Sequence, residues 1–119
     1  MARVHLTRRA LLDIEAIDRY STEKWGDRVA AKYLADLGSG AARLGASPIL
    51  LKQRPETSIR LRFYRVREHM LVCDVIGDDI YVLALFAAVM DLPARIAELE
   101  PQLVHEAELL ARQIQKRNG

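Results

Sequence analysis

The sequence predicts an α+β fold: an N-terminal strand and helix pair packed on an antiparallel sheet that ends in a three-strand meander, with a C-terminal helix. Three observations carry this. Apolar residues recur at helical spacing over about 8–44, the period drops to two between Ile59 and Ala87, and steps of three and four return from Ile96 to Ile114. The chain has 119 residues, half of them hydrophobic, enough for one domain with its own core.

Each element follows from its residues. Arg3-Val4-His5-Leu6 alternates polar and apolar, so it reads as a short strand. Thr7 suits a helix N-cap, and Leu11, Ile14 and Ile17 then mark a helix from Arg8 to about Lys24. Gly26 tolerates the dihedrals of a helix end, and Asp27 suits the next cap. Ala30, Leu34, Leu37, Ala41 and Leu44 form the stripe of a second helix, widened by Val29 and Tyr33. Gly38 and Gly40 are expected to let the two helices pack closely, with Tyr20 and Trp25 anchored between them.

Beyond the prolines at 48 and 55 the period becomes two. Ile59, Leu61 and Phe63 face one way, and Arg60, Arg62 and Tyr64 the other, with a bulge expected at Phe63-Tyr64 where the phase slips. Arg67-Glu68-His69 and Gly77-Asp78-Asp79 read as turns around a strand at 70–76. Ile80–Ala87 is apolar on both faces, so it belongs at the centre of the sheet, covered on both sides. Asp91-Leu92-Pro93 starts the last helix, and Pro101 should break or kink it. Up to Leu99 this helix is expected to pack on the sheet. Past Pro101 the stripe Leu103, Ala107, Leu110 and Ile114 is expected to reach a partner, either a small binding protein or a second copy in a homodimer.

Composition excludes several classes. A single cysteine, Cys73, forbids an internal disulfide and sits in an apolar run as an inert core thiol. No run approaches a membrane span and no signal-peptide core is present, so a cytoplasmic protein is expected. His5, His69 and His105 lack ligand spacing, so no metal site is expected. Gly38-Ser39-Gly40 matches no nucleotide fingerprint, and no cofactor is expected.

What remains is a basic run. Lys52, Arg54, Arg60, Arg62, Arg65 and Arg67 fall close together, with Tyr64 among them and only Glu56 and Glu68 opposing. Arginine recognises anions through two parallel hydrogen bonds, so this set is the candidate target-binding surface, for phosphates or for a carboxylate-rich protein. A solvated face kept charged against edge pairing is the plainer alternative. No confident catalytic set exists; Arg62, Arg65 and His69 form the alternative, catalytic reading.

The order of elements resembles the RelE/ParE toxins of bacterial toxin–antitoxin pairs. Segments similar to the ParE branch are Asp13-Ile14 with Tyr20 and Trp25-Gly26, Ala46-Ser47-Pro48, Arg62 with Tyr64–His69, and Met90–Arg95. The likeness makes 1–100 the toxin domain and 101–119 a C-terminal helical extension. It implies a toxin neutralised by a cognate antitoxin that wraps it, and a first strand lying beside the last. ParE-like members inhibit DNA gyrase; RelE-like members cut messenger RNA on the ribosome. The chain departs from the pattern: Cys73-Asp74 stands where an aromatic–Arg pair is common, and Ala87-Ala88-Val89 where a His commonly ends the last strand. Losing a proton carrier and a cation weakens RNA cleavage more than protein blocking. The reading is therefore a ParE-like toxin acting on a protein, with DNA gyrase as target. The alternatives are a ribosome-dependent messenger RNA endoribonuclease, and an attenuated relative that keeps only antitoxin binding.

Overall fold

A computed structural model describes residues 2–118 except 56, 59 and 89–91. The expected facing of Ile59, the opposing charge of Glu56 and the Asp91 of the expected helix start lie outside the described residues. The chain runs β1 (Arg3–Leu6), α1 (Arg8–Trp25), α2 (Asp27–Ala46), β2 (Arg62–Val66), β3 (His69–Ile76), β4 (Asp79–Ala87) and α3 (Leu92–Asn118). The strands form one sheet in the order β1-β4-β3-β2. β2, β3 and β4 make the antiparallel meander, and β1 joins β4 in parallel.

Thr7 caps α1 as expected, its hydroxyl oxygen accepting from the Ala10 amide at 3.1 Å. Gly26, at φ 88°, supplies the left-handed backbone between the two helices. Asp27 is the first residue of α2 and makes no side-chain cap. The helix pair covers one face of the sheet: Ala10, Ile17, Tyr33, Leu37 and Leu44 pack on Val66, Leu71, Cys73, Ile80, Val82 and Leu85. α3 covers the other: Ile96, Leu99, Leu103 and Ala107 pack on Leu61, Phe63, Met70, Val72, Leu83, Ala84 and Phe86. Each fully buried Leu or Ile is worth ~1.5–3 kcal/mol, so both layers hold the sheet.

Two-sided coverage explains the phase slip in β2. Leu61 and Phe63 face α3, and Tyr64 and Val66 face the helix pair. The β2–β3 register from Arg62↔Cys73 to Val66↔His69 is unbroken, so the bulge expected at Phe63-Tyr64 is absent. The irregularity lies in β4. Val72 pairs with Ala84 and Cys73 with Val82, leaving Leu83 unopposed. This extra residue puts both Leu83 and Ala84 on the α3 face. The Thr7 hydroxyl donates to the Leu83 carbonyl at 3.1 Å, and the Leu85 amide donates to the Asp13 carboxylate at 3.0 Å. α1 thus satisfies the stretch of β4 that lies past the end of β1.

Two further expectations are corrected. Pro101 lies inside a continuous α3. An interior proline costs ~3 kcal/mol, and the burial of Leu99 and Leu103 on either side outweighs it. Gly40 packs not on α1 but on Val66 of β2, so closely that a Cβ there would collide with the valine methyls; Gly38 faces open space.

Candidate functional site

The expected target-binding residues do not form one surface. Arg60 precedes β2, at a turn, and its Nε donates to the Asp74 Oδ2 at 3.0 Å. Asp74 is 4% exposed, and Arg60 also reaches the Ala107 carbonyl of α3 at 3.5 Å. Burial pushes the Asp74 carboxyl above its ordinary range, and Arg60 opposes that shift. Arg60 is thus a structural counter-ion, and it does not share a free face with Arg62.

Arg62 sits opposite Cys73 on the helix-pair face, half-buried and without an ion pair among the described residues. Tyr64, on that face too, accepts from Arg43 Nε of α2 at 3.1 Å. Arg65 points to the opposite face; its Nε donates to the Arg67 carbonyl at 2.8 Å. Lys52 extends the sheet by a backbone bridge to Phe63, and Arg54 lies over the Phe63 ring at 5.9 Å. Strand alternation, together with the turn at Arg60, splits the basic run over both faces and one edge.

The hairpin turn carries the more organised group. Arg67 adopts φ 51°, a left-handed conformation costly for a residue with a Cβ. It is held there by Asp36, at 2.7 Å from its Nη1, and by the Tyr33 ring, 5.2 Å below its guanidinium. The burial that would raise the Asp36 carboxyl is outweighed by hydrogen bonds from Arg67 and Lys32, which hold it below its ordinary range. The Tyr33 hydroxyl accepts from the Glu68 amide at 3.1 Å and lies 2.6 Å from His69 Nδ1. A ring with its proton on Nε2 takes the Tyr33 hydroxyl proton at Nδ1, and a ring with its proton on Nδ1 donates it to the hydroxyl's second lone pair; burial favours the neutral ring in either case. It pushes the His69 pKa below the ordinary value; neighbouring Glu68 acts against it. It also raises the Tyr33 hydroxyl.

This pair borders a cleft of about 450 Å³ whose walls include Asp13, Ile17, Ser21, Leu85, Tyr20 and Trp25. Tyr20 and Trp25 are 55% and 47% exposed, so they rim the cleft and do not anchor the two helices to each other. Their rings meet edge to face at 5.9 Å, with the Lys24 ammonium 5.4 and 5.3 Å from the two ring centres. Sequence reasoning assigned Tyr33 to the core stripe and left this site unseen. The signal available was Trp25 placed just before the helix break, where a ring has little helix to pack on.

The remaining candidates resolve simply. Burial drives the Cys73 thiol up to about 12, so it is inert. Among the described residues no group of His, Cys, Asp and Glu could hold a metal ion. No described helix is long and apolar enough to cross a membrane. Of the residues expected to bind a partner through the last helix, Leu103 and Ala107 are buried against the chain's own sheet, 2% and 0% exposed. Leu110 packs at the margin of that core and Ile114 is half-buried. The stripe stays on the sheet because the face opposite the helix pair has no other cover.

Comparison with known proteins agrees with this geometry. Residues 4–92 match the family model described as the ParE toxin of the type II toxin–antitoxin system, parDE. The curated Toxin ParE of Escherichia coli is 34% identical over 94 residues, spanning 78% of this chain and 91% of that protein. A solved structure titled as the chromosomal ParDE TA system from P. aeruginosa shares the fold at a TM-score of 0.66 and 21% identity. It spans 75% of this chain and 98% of that one.

Proposed function

We propose, for a chain that belongs to the ParE toxin family of type II toxin–antitoxin systems, that it arrests growth by binding DNA gyrase and does no covalent chemistry. The carrying observation is the cleft beside the β2–β3 turn. A half-exposed Trp–Tyr pair, an apolar hollow and Arg67 of the turn match the composition of protein-binding hot spots, where aromatic and arginine side chains dominate. The cleft takes apolar side chains of the target, while Arg67, stacked on the Tyr33 ring beside it, meets its carboxylates. Arg62 and Lys52 extend this contact along the β2 edge.

The residues of the nuclease reading are dispersed. Arg62 and Arg65 occupy opposite faces of β2, and His69 has one nitrogen committed to Tyr33. Protein blocking needs no converging acid, base and cation. In the cytoplasm, where the proposed target resides, the cognate antitoxin silences the toxin by covering the same cleft.

The test pairs two assays on purified protein: gyrase supercoiling, and cleavage of ribosome-bound messenger. Inhibited supercoiling with intact messenger is the expected result. Cleaved messenger with normal supercoiling would replace this reading with the endoribonuclease. Folded protein that neither slows growth on induction nor acts in either assay would make it an attenuated relative.

A further inference from the structure

One part of the basic run lies away from the cleft and acquires new neighbours in the fold. Arg62 and Tyr64 are alternate residues of β2, so both turn to the helix-pair face, ~7 Å apart along the strand. α2 runs beside them: Gly40 packs on Val66, and Arg43 Nε donates to the Tyr64 hydroxyl at 3.1 Å. At the hairpin end Lys32 meets Asp36, which also binds Arg67 of the turn. Arg28 lies one helical turn before Lys32, and both are exposed. Arg28, Lys32, Arg43 and Arg62 therefore form a row along α2 and the outer strand. From Lys32 to Arg43 the helix rises about 16 Å.

The row is short of counter-charge. Asp36 stands in it, and Lys32 at 3.5 Å and Arg67 at 2.7 Å already hold that carboxylate from two sides. Asp74, next to the Cys73 that Arg62 faces, is taken by Arg60. Arg28, Arg43 and Arg62 make no ion pair among the described residues.

The composition of this face selects the partner. Between Lys32 and Arg43 the exposed residues of α2 are Ala35, Gly38, Ser39 and Ala42. Protein interfaces draw most of their energy from large side chains seated in pockets, and this stretch presents none. It presents cations along an unobstructed line, which a phosphate backbone complements. About 16 Å of duplex axis carries roughly five phosphates on each strand. Arginine, with its planar fork of donors, is the side chain best matched to them. We propose that this row binds the phosphate backbone of duplex DNA. This rests on the reading of gyrase as the target: the cleft engages the enzyme, and the row engages the DNA that the enzyme holds.

The test is fluorescence anisotropy of a labelled duplex of about 20 base pairs, titrated with the full-length toxin without gyrase from about 50 to 200 mM salt. Neutralising three to four phosphates gives a slope of about −3 for log affinity against log salt. Arg43→Ala combined with Arg62→Ala should weaken binding about tenfold or more and bring the slope to about −1. Ser39→Glu sets a carboxylate in the middle of the row from an exposed position, and should weaken binding about threefold to tenfold while melting like the parent. It decides the matter if the double variant unfolds. No rise in anisotropy at the lowest salt overturns the proposal. Folded variants that keep the parental affinity and slope overturn it too. So does displacement of the duplex by polyglutamate as readily as by unlabelled duplex, which would give the row to an acidic protein. A failure of the gyrase reading shows separately, as a toxin that binds the duplex by anisotropy while supercoiling proceeds unchecked.

Discussion

Arg60→Ala separates a structural arginine from an interface arginine. In the native fold its guanidinium faces Asp74 at 3.0 Å, with side-chain exposures of 33% and 6%. Removing one partner of a buried pair costs ~3–5 kcal/mol, because the remaining charge stays desolvated. Arg60 is one-third exposed, so water enters where it stood and the expected loss is about 2–3 kcal/mol. The loss carries a pH signature. Burial holds the folded Asp74 pKa above its unfolded value, and losing Arg60 raises it further. A carboxyl with a raised folded pKa favours the fold below the unfolded pKa, and that advantage disappears as pH climbs through the folded pKa. The deficit relative to the parent should be full at pH 7 and shrink toward pH 4, as Asp74 takes up its proton in the folded state. Urea unfolding of both proteins at the two pH values measures it. Adding Asp74→Asn to the variant should restore much of the loss at pH 7. A deficit below ~0.5 kcal/mol at pH 7, an equal deficit at both pH values, or no rescue by Asn would refute the reasoning. Charge reversal at Arg60 is for the same reason a stability experiment, whatever it does to growth arrest.

Four other outcomes follow. Gly38→Ala faces open space and should gain up to ~1 kcal/mol of helix propensity, while Gly40→Ala drives into Val66; in thermal melts the two variants should differ by about 1–3 kcal/mol. Truncation after Glu100 removes Leu103 and Ala107 and uncovers Leu61, Leu83 and Phe86, so it should cost on the order of 5 kcal/mol and yield an unfolded or molten chain by circular dichroism. His69→Gln should leave growth arrest within a few-fold of the parent; a ~10²–10⁴-fold loss of messenger cleavage would restore the catalytic reading. Trp25→Ala, at an exposed position, should leave the melting temperature nearly unchanged and weaken gyrase inhibition or antitoxin binding by about tenfold or more, read by calorimetry.

Much of the fold was legible because it depends on local patterns. Thr7, Gly26 and Gly77 act through their own backbone neighbours, and the two apolar faces of Ile80–Ala87 correctly placed that strand inside the sheet. The bulge was misplaced for a reason that belongs to layered sheets. Apolar residues on both faces of β2 mimic a slipped phase, whereas the real extra residue, Leu83, hides in a run where every side chain is buried. The cleft escaped notice because Tyr33, His69, Tyr20 and Trp25 are brought together only by the packing of α1 and α2 on the hairpin.

The arginine run and the last helix show the same physics from opposite sides. Arg60 looked exposed because charged residues usually are, and Leu103 looked available because Pro101 precedes it. Both inferences weigh a residue against its neighbours in sequence, while the outcome was decided by one sheet face. Once the helix pair occupies one side, the apolar residues on the other must be covered by something. α3 is the segment at hand, and that burial exceeds the ~3 kcal/mol that an interior proline costs. α3 in turn buries Asp74, which requires a cation, and Arg60 is the arginine that the turn before β2 brings within reach. The pair that α3 creates is therefore also its latch. An Arg60 variant should loosen the middle of α3 before the rest of the chain. Faster amide exchange at 103–108 than in α1, under conditions where the parent exchanges both slowly, would mark that order; uniform exchange across both helices would show that the pair stabilises the domain as a whole and not this helix.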